Sequence, residues 1–278
     1  MLVAKDTFLI QVESSKRSDI NIKGVNGEPI LIDTDYNKFK HSVQIGKIYA
    51  IPIAVTSKYE YDTKLNVNDT VVFHHFVCQP DHKMSFGENV YRSEYFHLYA
   101  KIENEKVMPI EDVIFVEPIL EDESNMFIGS IRLKPHREYL KQQGVVFAAS
   151  KRAQSKGVLP GDKVYFTKDA DYPMNISGAG LYRMRIRNII ALERNGELTC
   201  LSDKLIVKEI KEENKVGILI GGKNQRQLKG EVMLVGKEVK GVKEGEVINY
   251  FNGLTGSIIK DGEVYSFVDV RNINYIIN

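Results

Sequence analysis

Apolar and polar residues alternate along most of this chain, and a period of two predicts short strands joined by turns. The pattern is sharpest in the last quarter, 203 to 278. Leu205-Ile206-Val207-Lys208-Glu209-Ile210 reads as a strand, and Lys211 to Lys215 as a charged turn. Gly230-Glu231-Val232-Met233-Leu234-Val235-Gly236 then gives a second strand, and the stretch around Val247-Ile248-Asn249-Tyr250 a third. Between the first two lies Val216-Gly217-Ile218-Leu219-Ile220, closed by Gly221-Gly222 and the polar run Lys223 to Gln227. Ile218, Leu219 and Ile220 break the alternation, because three large aliphatics between glycines lack the length and bracketing of a core strand. Carried on a loop, they would act as an apolar hook for a partner's groove, worth about 1.5 to 3 kcal/mol per buried side chain. No long amphipathic helix is apparent, so the predicted class is all-β.

The pattern repeats. Tyr182-Arg183 follows Tyr91-Arg92 by 91 residues, Asp203 follows Asp112 by 91, and Ala191 follows Ala100 by 91. Three markers in one register point to tandem duplication. A first strand is predicted at 7–12, 113–120 and 205–210. A second, led by glycine, begins at Gly46, Gly144 and Gly230. Turns into a third contain Asn68-Asp69, Pro160-Gly161-Asp162 and Gly245-Glu246, the residue types that tight turns require. The predicted organisation is three modules, 1–110, 111–201 and 202–278. Their joints, 106–110 and 197–201, are not Gly/Ser linkers, so the modules should pack side by side.

The order strand, charged turn, Gly-Ile-Leu-Ile, polar loop, Gly-Glu-Val-x-x-Val-Gly, turn, Val-x-x-Gly-Glu-x-Val and a closing Glu-Val strand resembles the small GroES-like co-chaperonins over 203 to 278. The resemblance implies three tandem, partly open β-barrels, each with a mobile loop after its first strand. In that family the aliphatic loop residues dock on a ring-shaped chaperonin. Carried onto this chain, the docking residues would be Ile218, Leu219 and Ile220, with Ile30, Leu31 and Ile32 in the first copy. Ile131 and Leu133 flank Arg132 in the second, and the family's partner would be a GroEL-like chaperonin ring. Self-association is also expected. The competing expectation is a structural or assembly protein, for example of a large bacteriophage, that reuses the barrels to build or fit a ring or particle.

Composition narrows the alternatives. A net charge of +1 and a pI near 7.7 supply no bulk attraction to nucleic acid or to an anionic membrane, and neither partner is expected. Cys78 and Cys200 are far apart and form no disulfide framework. The amino-terminal residues contain no basic segment followed by a long apolar stretch, and no window approaches a membrane span, which predicts a cytoplasmic protein.

Catalytic signals are weak, and no enzyme activity or cofactor is expected. Gly217 to Asn224 almost matches a phosphate-binding loop, but Asn224 replaces the magnesium-binding hydroxyl and no helix follows. There is no G-x-S-x-G elbow. GroES-like barrels also occur in medium-chain alcohol dehydrogenases, but the G-x-G-x-x-G nucleotide-binding half is missing. His74-His75-Phe76-Val77-Cys78-Gln79-Pro80-Asp81-His82 is dense in potential ligands, although adjacent histidines on a strand would face opposite ways, and a polar loop is the simpler expectation. Arg183, Arg185 and Arg187 alternate as on one strand face, where a solvated face or module contact is the bland alternative to phosphate binding.

Overall fold

Val, Ile, Phe and Tyr side chains of the strands supply most of the buried core, and the resulting fold is all-β. The computed structural model describes residues 3–13, 44–55, 64–120, 127–128, 131–132, 139–168, 170–176, 178–201, 203–210, 227–251, 257–260 and 263–277. The first sheet comprises β1 (Thr7–Gln11), β2 (Ile45–Ala50), β3 (Thr70–Phe73), β4 (Val90–Glu94), β5 (Leu98–Glu103) and β6 (Lys106–Pro109), in the order β4-β1-β2-β3-β5-β6.

The next segment contains β7 (Val113–Leu120), β8 (Phe127–Ile128), β9 (Ile131–Arg132), β10 (Tyr139–Ala149) and α1 (Lys151–Ser155). It continues with β11 (Lys163–Phe166), β12 (Tyr172–Ile176), β13 (Ala179–Arg185), β14 (Ile189–Arg194) and β15 (Glu197–Cys200). Its main sheet runs β12-β13-β7-β10-β11-β14-β15, with β8 and β9 paired separately. The last sheet comprises β16 (Lys204–Glu209), β17 (Gln227–Val235), β18 (Val247–Phe251), β19 (Ser257–Lys260), β20 (Glu263–Asp269) and β21 (Ile273–Ile277), in the order β19-β20-β16-β17-β18-β21.

One arrangement therefore occurs three times, as β4-β1-β2-β3-β5, β13-β7-β10-β11-β14 and β20-β16-β17-β18-β21. The sheets are open, and none closes into a barrel among the described residues. The chain divides into two compact units. One holds 1–114 with 148–157 and 174–179, and the other holds 115–147, 158–173 and 180–278.

The glycine at the head of each second strand has a physical cause. A Cβ on Gly46 would lie 2.6 Å from the Gln11 carbonyl oxygen, one on Gly144 2.7 Å from that of Glu117, and one on Gly230 2.7 Å from that of Lys208. In each sheet the second strand crosses so near the first that only hydrogen fits.

The turns into the third strands share a second device. Asn68, Gly161 and Gly245 take left-handed φ values of 72°, 91° and 83°. Their N–H groups donate to Ile48, Val146 and Val232 carbonyls at 2.8 Å each. One residue later an acid accepts the amide three positions back, with Asn66 N–H to Asp69 Oδ2 at 2.7 Å, Leu159 N–H to Asp162 Oδ2 at 2.7 Å and Lys243 N–H to Glu246 Oε2 at 2.8 Å. Asp162 is also gripped by Arg194, whose Nε and Nη2 both donate at 2.7 Å. Replacing Asp162 with alanine leaves the Leu159 amide without that acceptor, and the expected loss is about 1–3 kcal/mol in urea unfolding.

The first sheet's core contains Phe8, Ile10, Ile48, Val71, Phe73 and Tyr95, and the last sheet's contains Leu205, Val207, Val232, Ile248 and Tyr250. Within the second unit, Tyr165, Ile190, Ala191 and Cys200 of β11, β14 and β15 pack with Ile206 and Phe267 of β16 and β20. The second and third repeats thus share a core.

Candidate functional site

The sequence places its partner-binding residues in the connections from first to second strand, so the geometry of interest is the stems. These connections run from β1 to β2, β7 to β10 and β16 to β17. Gln11 pairs with Lys47, and Glu209 pairs with Gly230, so these two connections leave and return on adjacent antiparallel strands. The glycine approach described above locks the stems at that point. Short, fixed ends let a connection present side chains outward without rearranging the sheet.

Ile30, Leu31, Ile32, Leu133, Ile218, Leu219 and Ile220 lie outside the described residues. Ile131 starts β9, where its main chain pairs with Ile128. Beside the β1–β2 stem is a cleft of about 720 Å³ whose polar lining includes Gln11, Glu13, Lys47, Thr70, Glu88 and Asn89. Its charged residues are of both signs and define no single ligand charge.

The histidine-rich run leaves β3 as a connection, the simpler expectation, and does not continue the strand with His74 and His75 facing apart. Two 3-10 turns, His75–Cys78 and Pro80–His82, form a corner after β3, and the His74 and His75 rings stack with centroids 4.3 Å apart. Among the described residues no group of three or more His, Cys, Asp or Glu is placed to hold a metal ion. Burial pushes the thiols of Cys78 and Cys200 up to about 12, which removes the thiolate that nucleophilic chemistry requires.

The arginine series also breaks. Arg183 and Arg185 are on β13, but Arg187 lies in the following 3-10 turn, Ile186–Asn188, and is exposed. The expected row of three on one strand face does not form. Arg183 has an aromatic partner that the sequence did not reveal, since its guanidinium lies 4.9 Å from the centroid of Tyr172.

Another recurrence was missed from sequence. Tyr49, Phe147 and Met233 each lie three residues after the close-approach glycine, and they are 42%, 47% and 37% exposed. A single exposed apolar side chain means little. The same position exposed in all three second strands is a repeated apolar point, and the +3 offset from Gly46, Gly144 and Gly230 was the available signal.

Compared with known proteins, the chain matches no family model, and no curated protein matches it significantly. Among the described residues no helix is long and apolar enough to cross a membrane.

Proposed function

We propose that this chain is a cytoplasmic co-chaperonin-like protein of three tandem GroES-like modules, which binds a chaperonin ring through apolar segments and assists protein folding. The supporting observation is the threefold recurrence of one strand order, in which the stem carrying each candidate docking segment is built around the same glycine approach. Ile218, Leu219 and Ile220 are the principal anchor, with Ile30, Leu31 and Ile32 as a second and Ile131 and Leu133 as a weaker third.

Magnitudes favour several anchors over one. Three aliphatic side chains yield about 5–9 kcal/mol gross when buried, against an association cost of about 4–15 kcal/mol. One hook is therefore a weak binder. Linked hooks gain effective concentration and combine into useful avidity. In this reading the partner hydrolyses ATP and the chain supplies binding energy.

The test is capture of the protein on an immobilised, purified chaperonin, compared with an Ile218→Ser/Leu219→Ser/Ile220→Ser variant. The wild type should be retained and the triple variant should lose at least tenfold in retention, about 1.4 kcal/mol. Equal retention of both would overturn the proposal. Recovery of the chain in purified particles, without chaperonin affinity, would instead support the assembly role.

A further inference from the structure

The corner from His74 to His82 lies between the third and fourth strands of the first repeat. At the corresponding place between third and fourth strands, the other repeats have β12 and β19. Here the imidazole of His74 caps the first turn, its Nδ1 accepting the Phe76 N–H at 3.1 Å. An imidazole can accept at that nitrogen only while the nitrogen is unprotonated. The cap therefore requires neutral His74, unlike the Ser, Thr, Asn and Asp that usually fill this position.

Two further imidazoles and two aromatic rings lie beside His74. His75 of the same turn stacks on His74 at 4.3 Å, and His97, from the turn Tyr95–His97, lies 5.6 Å away. Tyr99 of β5 approaches His74 edge-on at 6.0 Å, and Phe76 covers it at 4.3 Å. His97 faces two charged or titratable groups, Glu94 at the end of β4 and His82 in the second turn. The Nδ1 atoms of His82 and His97 are buried and meet no hydrogen-bond partner among the described residues. A proton on the Nδ1 of His97 would bury a donor without an acceptor.

We propose that this corner is an acid-operated latch. Protonation of His74 turns the capping acceptor into a donor opposed to the Phe76 N–H, the turn uncaps, and the corner opens over Cys78. The backbone ties that would be loosened are Val77 N–H to His74 O and Gln79 N–H to Phe76 O, both 3.0 Å. Cys78, at the end of the first turn and buried, becomes accessible. Histidine's ordinary value of about 6.5 places the change in mildly acidic solution; nearby, the His97 pKa is lowered, chiefly by burial, with Glu94 opposing this and His82 adding to it. A depressed histidine contributes stability that is present above its unfolded value of about 6.5 and is lost as pH falls below it.

The experiment is labelling of Cys78 with 4,4′-dithiodipyridine at pH 8 and pH 5.5, read by peptide mass spectrometry, in the full chain and in His74→Ser. Serine accepts the Phe76 amide at any pH, and dividing the two rates at each pH cancels the change in thiol ionisation. The ratio of wild type to variant should be near one at pH 8 and rise about five- to tenfold at pH 5.5, the opening expected from losing one cap. Should His74→Ser fail to fold, His74→Asn keeps the same acceptor and gives the same readout. A ratio that stays near one, or a wild type in which Cys200 accelerates as much as Cys78, would overturn the latch.

Discussion

Alanine at Gly230 is expected to destabilise the protein by about 1–3 kcal/mol, because the added methyl would lie 2.7 Å from the Lys208 carbonyl oxygen. The obstruction is main chain in a paired strand, so it cannot rotate aside. β16 and β17 would have to separate where they pair through Lys208↔Glu231 and Glu209↔Gly230. Alanine at Gly46 or Gly144 meets the same obstacle and should cost a similar amount. Gly180 is the control, since a Cβ there meets nothing within 4 Å. Denaturant unfolding of the four variants reads the difference. Equal losses at Gly180 and Gly230 would show that close strand approach is not what the repeated glycine provides.

The second large effect is expected at Asp269. Its Oδ2 accepts from Lys204 Nζ at 2.6 Å and from Arg271 Nη2 at 2.8 Å, and its Oδ1 accepts the Arg271 N–H at 3.0 Å. One carboxylate thus joins β16 to the end of β20 and caps the turn Val270–Asn272. Both members of the lysine–aspartate pair are buried. Asp269→Ala would leave the Lys204 ammonium with Asp203, 3.0 Å away and partly exposed, as its remaining ion-pair partner. Removing one member of a buried pair costs about 3–5 kcal/mol, and Asp203 places the expected value at the lower end.

The same carboxylate sets an acid limit. Hydrogen bonds from Arg271, opposed by burial and reinforced by Lys204, hold the Asp269 carboxyl well below the usual carboxylate range. Asp162 shifts the same way: burial pushes it up, but Arg194 and the Leu159 amide outweigh that. Both folded-state values are depressed, so in acid the unfolded chain binds more protons. The stabilisation is present above about pH 4 and is lost as pH falls below it. Urea unfolding between pH 3 and 7 should show wild-type stability falling below pH 4, with a smaller fall in Asp269→Ala.

The repeat was legible because duplication leaves marks in sequence. The glycines and the Asn/Gly-acid turns stood at matching places before any sheet was known. Their cause was not legible, because Lys208 approaches Gly230 only through strand pairing. The shared core of Tyr165, Ile190, Ile206 and Phe267 escaped notice for the same reason, its members being distant in sequence. The histidine run was legible as a connection after β3, but its form was not: Pro80 and the side-chain cap at His74 fold it into two turns. The arginine series failed because Ile186–Asn188 turns the chain away from the strand. The principal candidate docking triplet, Ile218 to Ile220, was visible as an aliphatic run between glycines, a pattern of composition that carries no geometry.

Native mass measurement of the protein with and without a purified chaperonin tests the central proposal most directly. It predicts a new species at the mass of the ring plus bound chain, depleted when Ile218, Leu219 and Ile220 are all serine. A chaperonin peak unchanged in mass at micromolar protein, or a complex of equal abundance with the triple variant, would contradict it.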